Sequence, residues 1–399
     1  MFRSLLTAWI VFVPCWATAV AQQGHDMPPT PRWPFSWIQL EDVPVEPVIE
    51  AAAVTAGDRI IITGGFDQSL QSTPAIQVRH PQRGWQPISA TMQQPRARHS
   101  AVVLADGRVL VLGGMTGQVR QGLQRLDDAE IFDPRVASRG KLIPEAPGPL
   151  GINTAHLMDP RRACAVSGAA AHVLDVQQGA WIQSIDLQRN RNGHASIRLD
   201  PRRVLVVGGD PVGSDDGLVE IVHVGTHGRS IAWEARLDSP VKDAAATLLP
   251  DGRILLVGGV DPATDRPTGT CWLLDPADRS IHPGPPLPDP LLKSASPMVL
   301  VRNDRIIATD PDITSEAPAY IIRMQPRHSS APWRVHSIGP LPGDGRHRTM
   351  LVLDDGRLWT WGGYRFVDPQ EAASLQQRPG PRLDPRAHSV QVDTAEAFD

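Results

Sequence analysis

Tyrosine, cysteine and surplus charge are what this sequence has least of. Only two tyrosines, Tyr320 and Tyr364, stand among its 399 residues. Three cysteines are too few for a disulfide framework, and one of them, Cys15, falls in the first apolar stretch. Lys and Arg number 39 against 43 Asp and Glu, with no basic block, which argues against nucleic acid as a partner. Beyond the N-terminus no run is long and apolar enough to span a bilayer. A nucleophile elbow, an HExxH pair and a phosphate loop are all missing, and no motif asks for a cofactor.

The first residues read as an export signal over 1–21. Arg3 supplies a weak positive start, Leu5 to Val13 an apolar stretch, and Ala19-Val20-Ala21 a small-residue cleavage site before Gln22. At about 17 apolar residues interrupted by Pro14, the stretch is marginal as a membrane anchor. The expectation is an exported chain, periplasmic or secreted, whose residues 22–399 form a single domain.

What the sequence has in quantity is turns and a repeat. It holds 39 prolines and 34 glycines, which favours many turns over long helices. ADGRVLVLGG (105–114) returns as PDGRILLVGG (250–259) and DDGRLWTWGG (354–363). Aligned on the double glycine, seven units emerge, at Gly64-Gly65, Gly113-Gly114, Ser167-Gly168, Gly208-Gly209, Gly258-Gly259, Asp310-Pro311 and Gly362-Gly363. Their spacing of about 41 to 55 residues is that of four-stranded propeller blades. Each unit runs in the same order: a strand of small residues, an Asp-Gly turn, a β-rich strand ending on the glycines, and a variable loop. A third strand follows, such as AEIFD (129–133), CWLLD (271–275) or AEAFD (395–399), and a Trp marks the fourth at Trp85, Trp181, Trp233 and Trp333. One such sheet cannot bury both faces alone, so the units must stack in a ring.

The Gly-Gly pairs, with the third-strand and Trp pattern after each, resemble the kelch family of β-propellers over nearly all of residues 22–399. The resemblance implies an all-β, seven-bladed kelch-type propeller. WPFSWIQL (33–40) would supply the fourth strand of the last blade and close the ring, because the chain ends on the third strand AEAFD. Cys164 then falls in the second strand of unit three and Cys271 at the start of the third strand of unit five. These units are not neighbours, so two buried free thiols are expected rather than a disulfide.

In such a blade the start of strand one and the loop between strands two and three share a face, opposite the Asp-Gly-Arg turns. Ligand-contacting residues belong on that loop face, around the central channel. Counting back from the glycines, the position of His99 corresponds to Glu50, Asn153, His194, Ala244, Ser296 and Arg348. One residue earlier stand Arg98, Asp243 and His347, with Lys242 and Lys293 close by. This is a polar collar on a barrel of small apolar residues, and the candidate ligand-binding rim. A metal site is not expected, because His99, His194 and His347 come from separate blades. The acidic loops 210–217 and 261–269 lack the spacing of a calcium loop and read as solvated turns.

The resemblance implies a scaffold that binds a protein or glycan partner, since the fold hosts many functions. Two enzyme readings stand beside it. A copper-radical oxidase like galactose oxidase needs Tyr and His ligands and a Tyr joined to a Cys, and that set is missing. A sugar mutarotase, like the bacterial kelch protein that interconverts sialic acid anomers, needs only an acid, a base and an arginine for the carboxylate. The collar offers Glu50 or His99 as base, His194 or His347 as acid, and Arg98 or Arg348 as clamp.

Overall fold

The computed structural model describes residues 38–211, 217–225 and 228–285, and beyond them the strands between 298 and 391 with residues 324, 327 and 333. Among these, seven four-stranded antiparallel sheets are present, each with its strands side by side in chain order apart from the last. Blade 1 comprises Ala52–Ala56, Arg59–Thr63, Ala75–His80 and Gly84–Thr91. Blade 2 comprises Ser100–Val103, Val109–Leu112, Ala129–Phe132 and Lys141–Ile143. Blade 3 comprises Thr154–Leu157, Arg162–Val166, Ala170–Asp175 and Ala180–Asp186. Blade 4 comprises Arg191–Asp200, Arg203–Pro211, Val219–His223 and Ile231–Ala232. Blade 5 comprises Ala245–Leu248, Ile254–Val257, Cys271–Asp275 and Ser280–Pro283. Blade 6 comprises Met298–Arg302, Arg305–Thr309, Pro318–Arg323 and Arg334–Pro340.

Blade 7 takes Thr349–Val352, Arg357–Trp361 and Ala387–Gln391 from one end of the chain and Ile38–Leu40 from the other. Ile38 faces Ser389 and Leu40 faces Ala387, so the two ends of the chain share one sheet. The inner strands of successive blades touch in order, and that of blade 7 touches that of blade 1. The expected third strand at 395–399 is corrected: Ala387–Gln391 occupies that place, between Arg357–Trp361 and Ile38–Leu40. The reason is the register of those two partners, which repeat spelling cannot count through a long loop. AEAFD itself, like residues 33–37 of the closing stretch, lies outside the described residues.

Strand two explains why the repeated word is a continuous apolar run rather than an alternating one. All four residues of Val109–Leu112 are buried, because both faces of the sheet are covered by other blades. Ile61, Val78, Val109, Val111 and Phe132 fill the seam between blades 1 and 2. Leu205, Val207, Trp233, Ile254, Leu256 and Trp272 fill that between blades 4 and 5. Each buried Leu, Val or Ile contributes about 1.5–3 kcal/mol against the exposed state. At the other end of the strand, Gly107 turns the hairpin with φ +83° and Arg108 Nε donates to the Asp106 carboxylate at 2.8 Å. Cys164 and Cys271 are both buried and free, in the second strand of blade 3 and the third of blade 5. Burial pushes each thiol up to about 12, out of the reactive range. No helix among the described residues is long and apolar enough to cross a membrane.

Candidate functional site

The lead-in to strand one has the same backbone shape in four blades. Two residues before the strand residue that faces the last position ahead of the glycines, Glu50, Arg98, Gly193 and Asp243 are all left-handed, with φ of 54°, 57°, 76° and 63°. For a side chain other than glycine this costs about 1–2 kcal/mol, so three blades carry a strained charged residue where a fourth has glycine. The backbone holds them in a chain. Arg98 N donates to Glu50 O at 2.9 Å, and Asp243 N donates to Gly193 O at 2.9 Å, each across one seam. The same register moves one expectation: Ala51, not Glu50, occupies the place of His99, and Glu50 is the counterpart of Arg98. Asn153, His194 and Ala244 keep the place assigned to them beside His99.

Each described collar residue is at most 6% exposed. Glu50 and Arg98 form a two-point ion pair across the blade 1–2 seam, through Nε and, at 3.2 Å, through Nη2. The Arg98 guanidinium also lies 5.8 Å over the Phe66 ring, a favourable site for a cation. His99 Nε2 shares a 2.8 Å hydrogen bond with Thr63 Oγ1, and its Nδ1 has no partner among the described residues. Burial, helped by the charge of Arg96, holds this imidazole well below its ordinary range. Asn153 donates to Leu112 O at 3.0 Å and Gly151 O at 2.9 Å. Burial, then Arg191, brings His194 down to about 4, so it is neutral at physiological pH. Asp243 behaves oppositely: burial pushes its carboxyl up to about 8, against the pull of Lys242. Its Oδ2 has no hydrogen-bond partner among the described residues. Lys242 itself reaches Asp265 at 3.1 Å and Asp210 at 4.0 Å. The structure thus brings Glu50 and Arg98 together and leaves Asp243 as a buried acid with an open oxygen. Lys293, His347 and Arg348 lie outside the described residues, as does Ser296.

The collar sits beneath the longer loops. Between strands two and three, Met115–Gln118 pairs with Gly122–Arg125, Val260–Asp261 with Arg266–Pro267, and Tyr364–Val367 with Gly380–Leu383. On the opposite face the turns close on themselves, as in Arg253 with Asp251 and Arg203 with Asp200.

Two buried arginines escaped the sequence reading. Arg96 donates to Gly113 O at 2.8 Å and Asp128 at 2.9 Å, and lies 3.7 Å from Glu130. Arg191 repeats the arrangement in blade 4, with Gly208 O at 2.9 Å and Glu220 at 2.8 Å. They tie the lead-in to the double glycine and the third strand, and so place His99 and His194. The spelling carried a trace of this: each Arg stands three residues before its His, and each Glu is second in its third strand, AEIFD and VEIVH.

Residues 95–137, which run from this lead-in through the third strand of blade 2, match the kelch motif. The chain folds as a kelch-type β-propeller. Two solved structures superpose on the chain. YjhT superposes with a TM-score of 0.54 at 13% identity, covering 74% of this chain and 99% of that one. A fungal alcohol oxidase of the AA5 family, solved in complex with copper, gives 0.52 at 15% identity, covering 86% of this chain and 78% of that one. No curated protein matches the sequence. The tyrosines and buried thiols of this propeller do not fit a copper-radical centre. Tyr320 lies in the third strand of blade 6, Tyr364 begins a loop hairpin, and the two buried thiols belong to blades 3 and 5.

Proposed function

We propose that this kelch propeller is an exported binding module that takes a protein or glycan partner on its loop face. The observation that supports the reading is the asymmetry of the two faces. One carries short turns whose Asp and Arg are already paired, while the other gathers the hairpin loops over a collar of buried polar groups. Pre-positioned polar groups beneath longer loops on a rigid ring are what a recognition surface requires. The test is a screen of the mature chain against a defined glycan panel and purified envelope proteins, repeated with Arg120→Glu on the loop face and Arg135→Glu on the turn face. The first substitution weakens the retained partner and the second does not. Equal loss from both, or loss from Arg135→Glu alone, contradicts the reading.

A second reading, a sugar mutarotase at the channel mouth, draws on Asp243. A carboxyl that keeps its proton to about pH 8 is a competent general acid. The clamp assigned to Arg98 is weakened by its pairing with Glu50. Anomer exchange by the purified chain at the rate of the buffer blank removes this reading.

A further inference from the structure

An inner strand of a propeller meets solvent in one direction. Neighbouring blades cover its two faces and strand two pairs with its outer edge, so its exposed atoms face the central channel. Most inner strands here are uncharged through their middle: AAVTA, SAVV, AATL and TMLV carry no ionisable group, and MVLVR only its terminal Arg302. Blades 3 and 4 differ, with TAHL and RNGHASIRLD. Their facing side chains make a polar seam. His156 Nε2 and Ser196 Oγ are 2.6 Å apart, and Ser196 Oγ is also hydrogen-bonded to Thr154 Oγ1. Two corresponding seams are apolar, with Val54, Ala56 and Ala101 between blades 1 and 2, and Ala195, Ile197 and Ala246 between blades 4 and 5.

Arg198 completes the sector. Alternation along its strand puts it on the same face as Ser196, and its charge acts on His156. It is exposed, and it has no ion-pair partner among the described residues. The carboxylates at the ends of these strands are engaged within their own turns, Asp159 by Arg162 and Asp200 by Arg203. His156 is pushed down to about 4, mainly by burial, and so offers a neutral imidazole. The facing strands of blades 3 and 4 therefore carry an imidazole and two hydroxyls in contact and, on the same strand face as Ser196, a guanidinium whose charge reaches the imidazole, with no facing carboxylate among the described residues. Hydroxyls and an imidazole, buried or half-buried, beside a guanidinium with no ion-pair partner among the described residues match an oxyanion, which Arg can take by two parallel hydrogen bonds.

We propose that the inner wall of blades 3 and 4 is a binding site for a small oxyanion, held by Arg198 with Ser196, His156 and Thr154. It stands on residues other than those of the loop-face reading, and neither depends on the other. The intact chain, labelled at histidine, is titrated with sodium acetate and separately with sodium phosphate at constant ionic strength, following the His156 ring signals. The expected result is a saturable shift with at least one of the two. Acetate alone assigns a carboxylate ligand, and phosphate alone a phosphoryl one. Arg198→Gln weakens the titration by roughly tenfold, the worth of one charge-assisted hydrogen bond. Arg198→Lys retains part of it, and Arg135→Gln leaves it unchanged. Because Arg198 is exposed, these variants keep the fold, which equal melting temperatures verify. No saturable shift with either anion, or an Arg198→Gln variant that titrates like the parent, overturns the proposal.

Discussion

At the scale of single residues, burial favours the neutral forms of three collar groups, His99, His194 and Asp243. Asp243 makes the clearest case, because its folded carboxyl titrates near 8 while an unfolded Asp titrates near 3.8. Between those values the folded protein binds a proton that the unfolded chain has released, so this group lowers stability as pH rises from about 4 to about 8. Asp243→Asn removes the titration. Its melting temperature relative to the parent is therefore expected to climb between pH 5 and pH 7.5, by an amount equivalent to about 1–3 kcal/mol. A constant difference across that range means that the carboxyl is ionised in the folded state. Arg96 and Glu130 test the opposite arrangement, two charges buried together. Arg96→Met leaves Asp128 and Glu130 without their cation and is expected to cost about 3–5 kcal/mol in chemical denaturation, whereas Glu130→Gln with Arg96→Met costs less than the sum of the two single changes.

At the scale of the blade, the glycine pairs and the Asp-Gly turns carry different constraints, although those among the described residues all have positive φ. A Cβ at Gly114 would meet Ala97 O at 2.6 Å and the His99 Cβ at 2.8 Å, while at Gly107 the nearest atom is Arg135 Nη1 at 3.8 Å. Gly107→Ala should cost only the left-handed strain, about 1–2 kcal/mol, and Gly114→Ala distinctly more, as read from urea midpoints. This is also where the sequence was most legible. The repeated words record constraints that each blade meets locally: a turn, a fully buried strand, a close approach. What was not legible depends on counting across loops. Glu50 shifts by one place because the lead-in to blade 1 is set by pairing with Thr63, not by distance from the glycines. Ala387–Gln391 replaces AEAFD because the hairpin at 364–383 returns the chain to Arg357–Trp361 before AEAFD is reached. The Arg96–Glu130 and His156–Ser196 contacts join residues 34 and 40 positions apart, and only the register of the sheets reveals them.

At the scale of the whole molecule, the ring depends on its shared seventh sheet and on what its faces present. Asp42, just after the closing strand, accepts from Arg79 at 2.7 Å and from the Trp85 amide at 3.0 Å, fastening that strand to blade 1. Removing residues through Asp42 leaves Ala387–Gln391 as an open edge. The truncated chain is expected to melt at lower temperature and to associate through that edge, seen as a rising mass in light scattering; an unchanged monomer would show that closure is dispensable. The account's central claim, that the loop face is the recognition surface, is tested most directly by hydrogen exchange of the chain with and without a partner retained in the screen. Protection should appear in the hairpin loops at 115–125 and 260–267. Protection confined to the opposite turns, at 105–108 and 251–253, would contradict it.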